Sequence, residues 1–471
     1  MGKFYITTTL PYVNAEPHIG FALEIVQADV LARWHRLLGD EVVFNFGTDE
    51  HGQKIYQKAL EQKKEPKAYC DEYAAKFDGL KKALNLSYTN FIRTTDEHHV
   101  KAAQEFWTRC EKNGDIYKSK YKIKYCVGCE LEKTDSELVE GKCPLHPNRD
   151  LEIREEENYF FRFSKYQDLL LNFYENYPDF VKPVSKYTEI RAFVSGGLQD
   201  FSVSRLKAKM PWGIEVPGDP EQIMYVWFDA LINYISTLGW PENEKNFTDF
   251  WPGVQVAGKD NLRQQTAMWQ AMLLSAGLPN SKQVFIHGFI TVDGQKISKS
   301  TGNVIDPVEL AGKYGTDAVR YYLLAKIHPW EDSDFTVSKL EETYNADLAN
   351  GLGNLVARVA KLAERAGLDA RYQILDPRDE KIDTVLKNYR FDEGMKYIWE
   401  EIAKTNNLID EKKPWKLTGE ELERTMEPIA AEVVKIGYLL RPFLPETAEK
   451  IIKQFSGNKI ISGSSLFPRI Q

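Results

Sequence analysis

The sequence predicts an α/β fold: a domain built on a parallel sheet, split by an insertion and followed by an all-α helix bundle. Three observations support this prediction. The first 46 residues follow a strand–helix–strand pattern, residues 114–222 change to short alternating strands with cysteines, and the pattern is helical from residue 341 onward. A chain of 471 residues also exceeds what one hydrophobic core usually serves, so several domains are expected.

The N-terminal segment is predicted to form a βαβ unit. β-Branched and aromatic residues dominate 3–9, which predicts a strand that ends before Pro11. Apolar residues recur at helical spacing over 19–38, and Gly39 follows as a C-terminal cap. The run 41–46 is a second buried strand. A right-handed crossover between the two strands is typical of a nucleotide-binding domain.

The later segments complete this organisation. Residues 224–235 and 283–286 return to buried strand and helix patterns, so the sheet is predicted to resume there. Beyond 341, leucine and valine recur every three or four residues, which predicts a helix bundle. We therefore divide the chain into a first half of the α/β domain at 1–113, an insertion at 114–222, a second half at 223–289, a connecting region at 290–340 and the bundle at 341–471.

Composition and charge restrict the classes of function. With 43% hydrophobic and 28% charged residues the chain is predicted to be globular. The formal charge of −8 argues against binding nucleic acid by bulk electrostatics, so a polyanion would need a local basic patch. The lysines at 118, 120, 122 and 124 are one candidate patch, and a solvated strand edge explains them equally well. No signal peptide or membrane-spanning run is present, so we expect a cytoplasmic protein without membrane contact.

Three of the five cysteines lie in one short segment. Cys126-x-x-Cys129 and Cys143-x-x-His146 form two pairs separated by thirteen residues. Paired soft ligands at this spacing are typical of tetrahedral zinc. All four ligands come from the protein, and no water-activating acid falls within the motif. We therefore predict one structural Zn²⁺ per chain.

Two loops carry residues suited to binding polyphosphate. In an open parallel sheet ligands bind at the carboxyl ends of the strands, where His18 and Gly20 open the predicted helix and Asp49 follows the second strand. A glycine there lets a phosphate approach free backbone N–H groups, and the histidine can donate to a phosphate oxygen. Lys296 and Lys299 suit clamping a leaving pyrophosphate. Alone, a helix cap or a surface charge run would explain each loop.

Together these segments resemble a known family. Residues 18–20 read His-Ile-Gly and residues 296–300 read Lys-Ile-Ser-Lys-Ser, which resemble the HIGH and KMSKS signatures of class I aminoacyl-tRNA synthetases. The resemblance extends from residue 5 to about residue 415. Further segments are similar to the methionyl-tRNA synthetases in particular, namely 10–20, 48–52, 225–230, 258–260 and 287–288.

The resemblance implies a methionine--tRNA ligase. Such an enzyme activates methionine with ATP and Mg²⁺ to methionyl-adenylate and pyrophosphate. It then transfers methionine to the 3′ end of tRNA(Met), which carries the CAU anticodon, for initiation and elongation. The implied architecture is a Rossmann-type catalytic domain, a zinc-binding connective insertion, a stem-contact region at 290–340 and an anticodon-binding bundle. The chain ends just beyond the bundle, without the C-terminal extension that dimerises some relatives, so a monomer is expected.

The resemblance also implies four sets of site residues. The catalytic residues would be His18, Gly20, Lys296 and Lys299. The methionine-binding residues would be Leu10, Tyr12, Asp49, Arg205, Trp227, Ala230, Leu231, Tyr234 and Gln265, with Asp49 holding the ammonium group. The ATP-binding residues would be His18, Gly20, Phe21, Gly258, Asp260, Lys296, Ser298 and Lys299. The anticodon-binding residues would be Asn354, Arg358 and Trp415. Without the resemblance, core packing would explain the aromatic residues of these sets, and helix-end packing would explain Trp415.

Three positions depart from the family pattern, and two alternatives stay open. Phe21 stands where histidine or asparagine is usual, Ile297 replaces methionine, and Gln265 stands where many relatives have a pocket histidine.

One alternative is another class I synthetase, for leucine, isoleucine, valine or cysteine. The editing domain of the branched-aliphatic enzymes would not fit an insertion of this size, and a cysteine enzyme would want a metal near His18, where no cysteine lies. The other alternative is an inactive tRNA-binding regulator, which the intact signatures disfavour.

Overall fold

The structure is a computed structural model, and it describes residues 2–129, 131–133, 137–297, 302–369, 378–456 and 458–470. Two predicted site residues, Ser298 and Lys299, lie outside the described residues. For Lys296 the backbone is described and the side chain is not.

The described residues form the strands and α-helices given below, each set in chain order, together with short 3-10 and π-helical segments. The strands are β1 (Lys3–Thr8), β2 (Glu41–Thr48), β3 (Asn90–Arg93), β4 (Ile116–Cys126), β5 (Leu131–Glu132), β6 (Glu152–Phe161), β7 (Val181–Lys182), β8 (Phe201–Ser202), β9 (Ser204–Leu206), β10 (Glu215–Val216), β11 (Asp219–Met224), β12 (Val254–Gly258), β13 (Gln283–His287), β14 (Ile290–Val292), β15 (Gln295–Lys296) and β16 (Ser333–Phe335). The helices are α1 (Ile19–Leu37), α2 (Gln53–Glu61), α3 (Pro66–Ala83), α4 (Glu97–Lys112), α5 (Gln167–Asn176), α6 (Val184–Ser195), α7 (Val226–Ala230), α8 (Asn233–Ser236), α9 (Glu244–Phe250), α10 (Trp269–Ser275), α11 (Pro307–Tyr314), α12 (Thr316–Ala325), α13 (Val337–Thr343), α14 (Asn354–Ala366), α15 (Glu380–Lys387), α16 (Phe391–Lys412), α17 (Gly419–Leu440) and α18 (Pro445–Phe455).

The predicted βαβ unit, β1–α1–β2, is confirmed and forms the centre of a parallel sheet. The strand order is β3-β2-β1-β12-β13-β7, and every neighbouring pair is parallel. β2 and β3 follow β1 on one side and β13 follows β12 on the other, so β1 and β12 form the switch point of the sheet. Ligands of open α/β sheets bind in the crevice at such a point. The fold therefore predicts a site where β1 and β12 end.

The residues of the predicted insertion build two smaller sheets and also reach the central one. Strands β5-β4-β6-β8 form an antiparallel sheet, and β10-β11-β9 form a second. The two-residue strand β7 pairs with β13 at the edge of the central sheet, with Val181 opposite Val284. The segment 114–222 thus contributes to the core of the α/β domain as well as to its periphery.

The connecting region begins with a close backbone contact and a tight hairpin. Gly288, between β13 and β14, has no room for a side chain, since a Cβ atom there would lie 2.3 Å from the carbonyl oxygen of Glu331. Asp293 and Gly294 both have positive φ, at 51° and 72°, as a two-residue type I′ turn requires. This turn joins β14 to β15 and leads the chain to Lys296.

A buried arginine joins the α/β domain to the helix bundle. Arg320, on α12, is fully buried, and its Nη1 atom lies 2.8 Å from Oδ2 of Asp29 on α1. Its guanidinium also donates to the carbonyl oxygens of Leu84, Pro442 and Phe443 at 3.1, 3.2 and 2.8 Å. Burial lowers the pKa of Arg320 and Asp29 opposes that effect. One side chain therefore satisfies acceptors from both parts of the chain.

We expect Arg320→Met to lower the free energy of unfolding by about 3–5 kcal/mol, because it leaves the Asp29 carboxylate and three carbonyl groups buried with fewer donors. Urea denaturation followed by circular dichroism measures the change. Arg191→Met is the matched control, since its exposed pair with Glu175 should contribute about 1 kcal/mol or less. Equal effects of the two substitutions would contradict the structural role of Arg320.

Candidate functional site

His18 and Gly20 form the N-terminal end of α1, beside the crevice. His18 is the N-cap residue, and its Nδ1 atom accepts a hydrogen bond from the Gly20 N–H at 3.1 Å. Burial lowers the pKa of His18 to about 4, so the ring is neutral near pH 7 and carries its proton on Nε2. The Phe21 ring packs against it with centroids 4.3 Å apart. The arrangement presents an N–H donor at a helix N-terminus.

A cavity of about 280 Å³ opens at the switch point and gathers most of the residues predicted to bind methionine. Two of these come from the loop after β1, one from the loop after β2, and the others from α7 and its C-cap residue, from α8 and from the π-helix at Gln264–Met268. The lining includes Leu10, Tyr12, Asp49, Trp227, Ala230, Leu231, Tyr234 and Gln265. Phe21 and Asp260, predicted to contact ATP, also line it. A short β-bridge between Tyr12 and Asp49 joins the first two loops.

The ninth residue of the predicted methionine set, Arg205, is not part of this lining. It lies on β9 and is buried, with Nη1 donating to Ser202 Oγ and to the Ser204 carbonyl at 2.7 Å each. Its guanidinium carbon lies 4.1 Å from the centroid of the Tyr225 ring.

The end of the cavity at α8 carries a directed chain of hydrogen bonds. Gln255 donates to Oε1 of Gln265 at 3.0 Å, and Gln265 donates to the Tyr234 hydroxyl at 2.6 Å. Because the Tyr234 oxygen accepts this bond, its own proton is left to donate. Gln265 thus orients the Tyr234 hydroxyl so that its proton can be donated.

The carboxyl ends of β12 and β13 form the other side of the crevice. Gly258 ends β12, and a Cβ atom there would lie 2.9 Å from Oδ1 of Asp260 and 3.6 Å from the His287 ring. His287 lies 2.8 Å from the Glu24 carboxylate through Nε2 and 2.7 Å from the Gly288 carbonyl through Nδ1. Burial would lower the pKa of His287, but Glu24 raises it above its usual value, so both nitrogens can donate. Sequence reasoning did not single out this pair, because nothing local to Glu24 indicates a partner 263 residues away.

The segment that follows the Lys-Ile-Ser-Lys-Ser sequence contacts the same helix end. β15 carries the chain to Lys296, and after the gap the carbonyl oxygen of Ile305 accepts the N–H of Ile19, the first residue of α1, at 3.0 Å. The segment that follows the loop is therefore anchored beside His18. This anchor was not predicted from the sequence.

The four predicted metal ligands form one cluster. Their ligand atoms all lie within 4.8 Å of one another. Cys129 Sγ lies 3.3 Å from Cys143 Sγ and 3.2 Å from His146 Nδ1, and Cys126 Sγ lies 3.8 Å from the same nitrogen. A tetrahedral ion with bonds of about 2.0–2.3 Å separates its ligand atoms by roughly 3.3–3.8 Å, so the cluster could hold a metal ion.

The same cluster borders the crevice, which the sequence did not predict. Gly128 and Cys129 belong to the cavity lining. Gly128 also packs on the His146 ring, which a Cβ atom would approach to 2.4 Å. The shape of the cavity wall at Gly128 and Cys129 therefore depends on the positions of the four ligand residues.

The residues predicted to read an anticodon lie around α14. Asn354 begins α14 and is exposed, while Arg358, one turn further, donates to Asn406 and Asp410 on α16. Trp415 lies in the short turn between α16 and α17, with 44% of its surface exposed. Arg365, also on α14, donates to the carbonyl groups of Pro414 and Leu417 at 2.7 and 3.1 Å and so holds this turn. Nothing in the sequence around Arg365 indicated this contact.

Among the helices of the described residues, none combines the length and the apolar character that crossing a bilayer requires.

Comparisons with known proteins agree with the site geometry. The family described as tRNA synthetases class I (M) matches residues 4–150 and 145–360. The methionine--tRNA ligase of Thermotoga maritima is 41% identical over 509 aligned positions, which cover 99% of this chain and 80% of that protein. The methionine--tRNA ligase of Thermosynechococcus vestitus is 42% identical, with 98% and 91% covered.

A solved structure gives the same result. Mycobacterium tuberculosis methionyl-tRNA synthetase in complex with methionyl-adenylate has a TM-score of 0.92 and 33% identity, with both chains covered completely. The sequence matches and the shared fold together confirm the predicted class and exclude the leucine, isoleucine, valine and cysteine alternatives as its family. The chain belongs to the class I tRNA synthetases of the methionine type, the methionine--tRNA ligases.

Proposed function

We propose that the crevice activates methionine with ATP and that the same chain transfers it to tRNA(Met). One observation supports this most strongly: a cavity lined by Tyr12, Trp227 and Asp49 adjoins the helix end that carries His18 and Gly20. An aromatic slot with one carboxylate suits an α-amino acid with an apolar side chain. An N–H donor beside a helix N-terminus suits the phosphates of ATP.

The methionine subsite would combine apolar walls with one directed donor. Leu10, Trp227, Ala230 and Leu231 would surround the side chain, and the Asp49 carboxylate would hold the ammonium group. The Tyr234 hydroxyl, oriented by Gln265, would donate to the thioether sulfur, a weak acceptor. Sulfur–aromatic contacts add roughly 0.3–1.5 kcal/mol each. A branched aliphatic side chain lacks that sulfur and would leave the hydroxyl unpaired.

The ATP subsite would extend from this cavity to α1. Asp260 and the backbone at Gly258 would bind the ribose, and Phe21 would border the nucleotide. His18 Nε2–H, the backbone at Gly20 and the side chains of Lys296, Ser298 and Lys299 would bind the phosphates, with Mg²⁺ accompanying ATP. Charge that develops on these phosphates during adenylate formation would be stabilised by donors already in place.

For the cysteine cluster we propose one structural Zn²⁺ per chain, held by Cys126, Cys129, Cys143 and His146. Three thiolates and one imidazole are the donor set that zinc favours, and the separations of the ligand atoms fit it. When bound, the ion would cross-link the two ends of the insertion segment that carries Gly128.

For the bundle we propose recognition of the CAU anticodon by Asn354, Arg358 and Trp415. The five regions defined from the sequence remain our proposal for the domain boundaries, with 290–340 contacting the acceptor stem and 341–471 reading the anticodon. We further propose a cytoplasmic enzyme that acts as a monomer in initiation and elongation.

Methionine alone among the standard amino acids is expected to support rapid ATP–pyrophosphate exchange, a reaction that follows adenylate formation without tRNA. The rate with methionine should exceed that with leucine or isoleucine about 100-fold or more, because their side chains cannot pair with Tyr234. Faster exchange with leucine would refute the assignment of the cavity. Absence of exchange with every amino acid would favour the inactive tRNA-binding regulator.

Trp415→Ala is expected to lower kcat/KM for aminoacylation of CAU tRNA by roughly 5- to 150-fold, the loss of one base–aromatic stack of about 1–3 kcal/mol. Exchange without tRNA should stay unchanged, since the turn lies in another region of the chain. Ile461→Ala, at a second exposed apolar residue of the bundle, is the matched control. Equal losses in aminoacylation and exchange would show that Trp415 serves packing instead.

A further inference from the structure

A fully buried carboxylate lies behind the wall of the proposed methionine subsite. Both oxygens of Asp229, on α7, face histidines: Oδ2 lies 2.9 Å from His51 Nδ1, and Oδ1 lies 3.2 Å from His99 Nε2. The other nitrogen of His99 lies 2.9 Å from the Ser236 hydroxyl. Two imidazoles and one carboxylate thus form a buried cluster, the Asp229 cluster, made of Asp229, His51, His99 and Ser236.

The protons of the Asp229 cluster follow from its geometry. The Ser236 hydroxyl lies 2.9 Å from His99 Nδ1 and 3.5 Å from the Asn233 carbonyl oxygen. The shorter contact favours donation to His99, which leaves the proton of His99 on Nε2 and directed at Asp229. His51 donates to the same carboxylate from Nδ1. Burial alone would raise the pKa of Asp229, but His51 and His99 hold it below its usual value. The carboxylate is therefore an ionised acceptor with a donor on each oxygen.

The Asp229 cluster joins elements that form separate walls of the cavity. His51 follows Asp49 by two residues on the loop after β2, Asp229 lies between Trp227 and Ala230 on α7, and Ser236 ends α8. Within the described part of the chain, the cavity lining includes none of the four cluster side chains. The cluster can act on a ligand only through the walls that it connects.

We infer that Asp229 is a positioning residue for methionine binding: it fixes the loop that carries Asp49 against the helix that carries Trp227 and Ala230. This inference rests on the proposed function. The walls that contact the ammonium group and the side chain of methionine are joined by this cluster. The phosphate-binding end of α1 is held instead by its own contacts, the His18 cap and the Ile19–Ile305 hydrogen bond. Loss of the cluster should therefore weaken methionine binding and spare ATP binding.

The experiment measures KM for methionine and KM for ATP in ATP–pyrophosphate exchange, with the full chain and with folding checked by thermal unfolding. Asp229→Ala removes both acceptors and should raise KM for methionine roughly tenfold or more, as expected when binding groups are misplaced, with KM for ATP within about threefold. Asp229→Asn keeps an acceptor for His51, and a tautomer change of His99 accommodates the amide. It should restore KM for methionine to within about threefold of the unsubstituted chain.

A second pair of variants keeps the inference testable if Asp229→Ala fails to fold. Asparagine can place an N–H where Nδ1 of His51 stands, so His51→Asn should preserve KM for methionine whereas His51→Ala should raise it. Asp249→Ala is the matched control, because that carboxylate pairs with Lys245 at the surface.

An unchanged KM for methionine in the alanine variants, or equal increases for methionine and ATP, would overturn the inference. A wild-type chain without methionine-dependent exchange would instead overturn the proposed function on which the inference rests.

Discussion

His18→Ala is expected to lower the rate of adenylate formation about 100- to 1,000-fold, the effect of removing one preorganised donor from a developing negative charge. The His18 ring accepts the Gly20 N–H through Nδ1 and therefore presents Nε2–H toward the crevice. Because burial lowers the pKa of His18 to about 4, the ring stays neutral between about pH 6 and pH 8. The rate should show no ionisation of this histidine within that range.

Two further variants separate the roles of His18. His18→Asn keeps an acceptor for the helix cap but withdraws the distal donor, so it should lose as much rate as His18→Ala with less loss of stability. Phe21→Ala should have a much smaller effect, since a phenyl ring donates no hydrogen bond and Phe21 packs on His18 and Phe77. Stopped-flow measurement of adenylate formation gives the rates. If folded Phe21→Ala lost as much rate as His18→Ala, the ring would itself shape the ATP subsite and our assignment would be wrong.

The second large effect is expected from the metal cluster. Cys126→Ala should release the proposed zinc ion and raise KM for methionine about tenfold or more, because a cluster with three ligands binds metal poorly and Gly128 and Cys129 line the cavity. Zinc content measured by atomic absorption and KM measured by exchange give two independent readouts.

Cys70→Ala is the matched control for this prediction. Cys70 is buried, as Cys126 is, but lies on α3 outside the cluster. That variant should retain one zinc ion per chain and an unchanged KM for methionine. Stoichiometric zinc in Cys126→Ala would show that the ligand set is wrong. Loss of zinc without any change in KM would show that the wall formed by Gly128 does not depend on the metal.

The sequence predicted most of the α/β domain because its main elements are long and periodic. β1, α1, β2 and β13 were all predicted within two residues of their observed ends. Parallel strands that end at one edge also brought the loops at His18 and Asp49 together, as predicted. The strand β7 was not predicted, because two residues carry no period and their pairing with β13 is decided by packing.

The parts of the site that were not predicted depend on contacts between distant residues. Glu24 contacts His287, and Asp229 contacts His51 and His99. In each pair the two residues are more than 100 positions apart in the sequence. A buried charge on an apolar helix looks out of place in the sequence, and only its partner explains it. In the same way, Arg365 reads as an ordinary charged residue of α14 until the turn at Trp415 is placed beside it.

One consequence concerns Gly288, where the Glu331 carbonyl group occupies the space that a side chain would need. The hairpin that leads to Lys296 starts two residues later, at Ile290. Gly288, which has no side chain, therefore helps to set the direction of the loop proposed to bind pyrophosphate. It lies eight positions before the first lysine of that loop. A methyl group there would force either the backbone at Glu331 and Asp332 or the start of the hairpin to shift, and a shift of the hairpin would change the position of the loop that begins at Lys296.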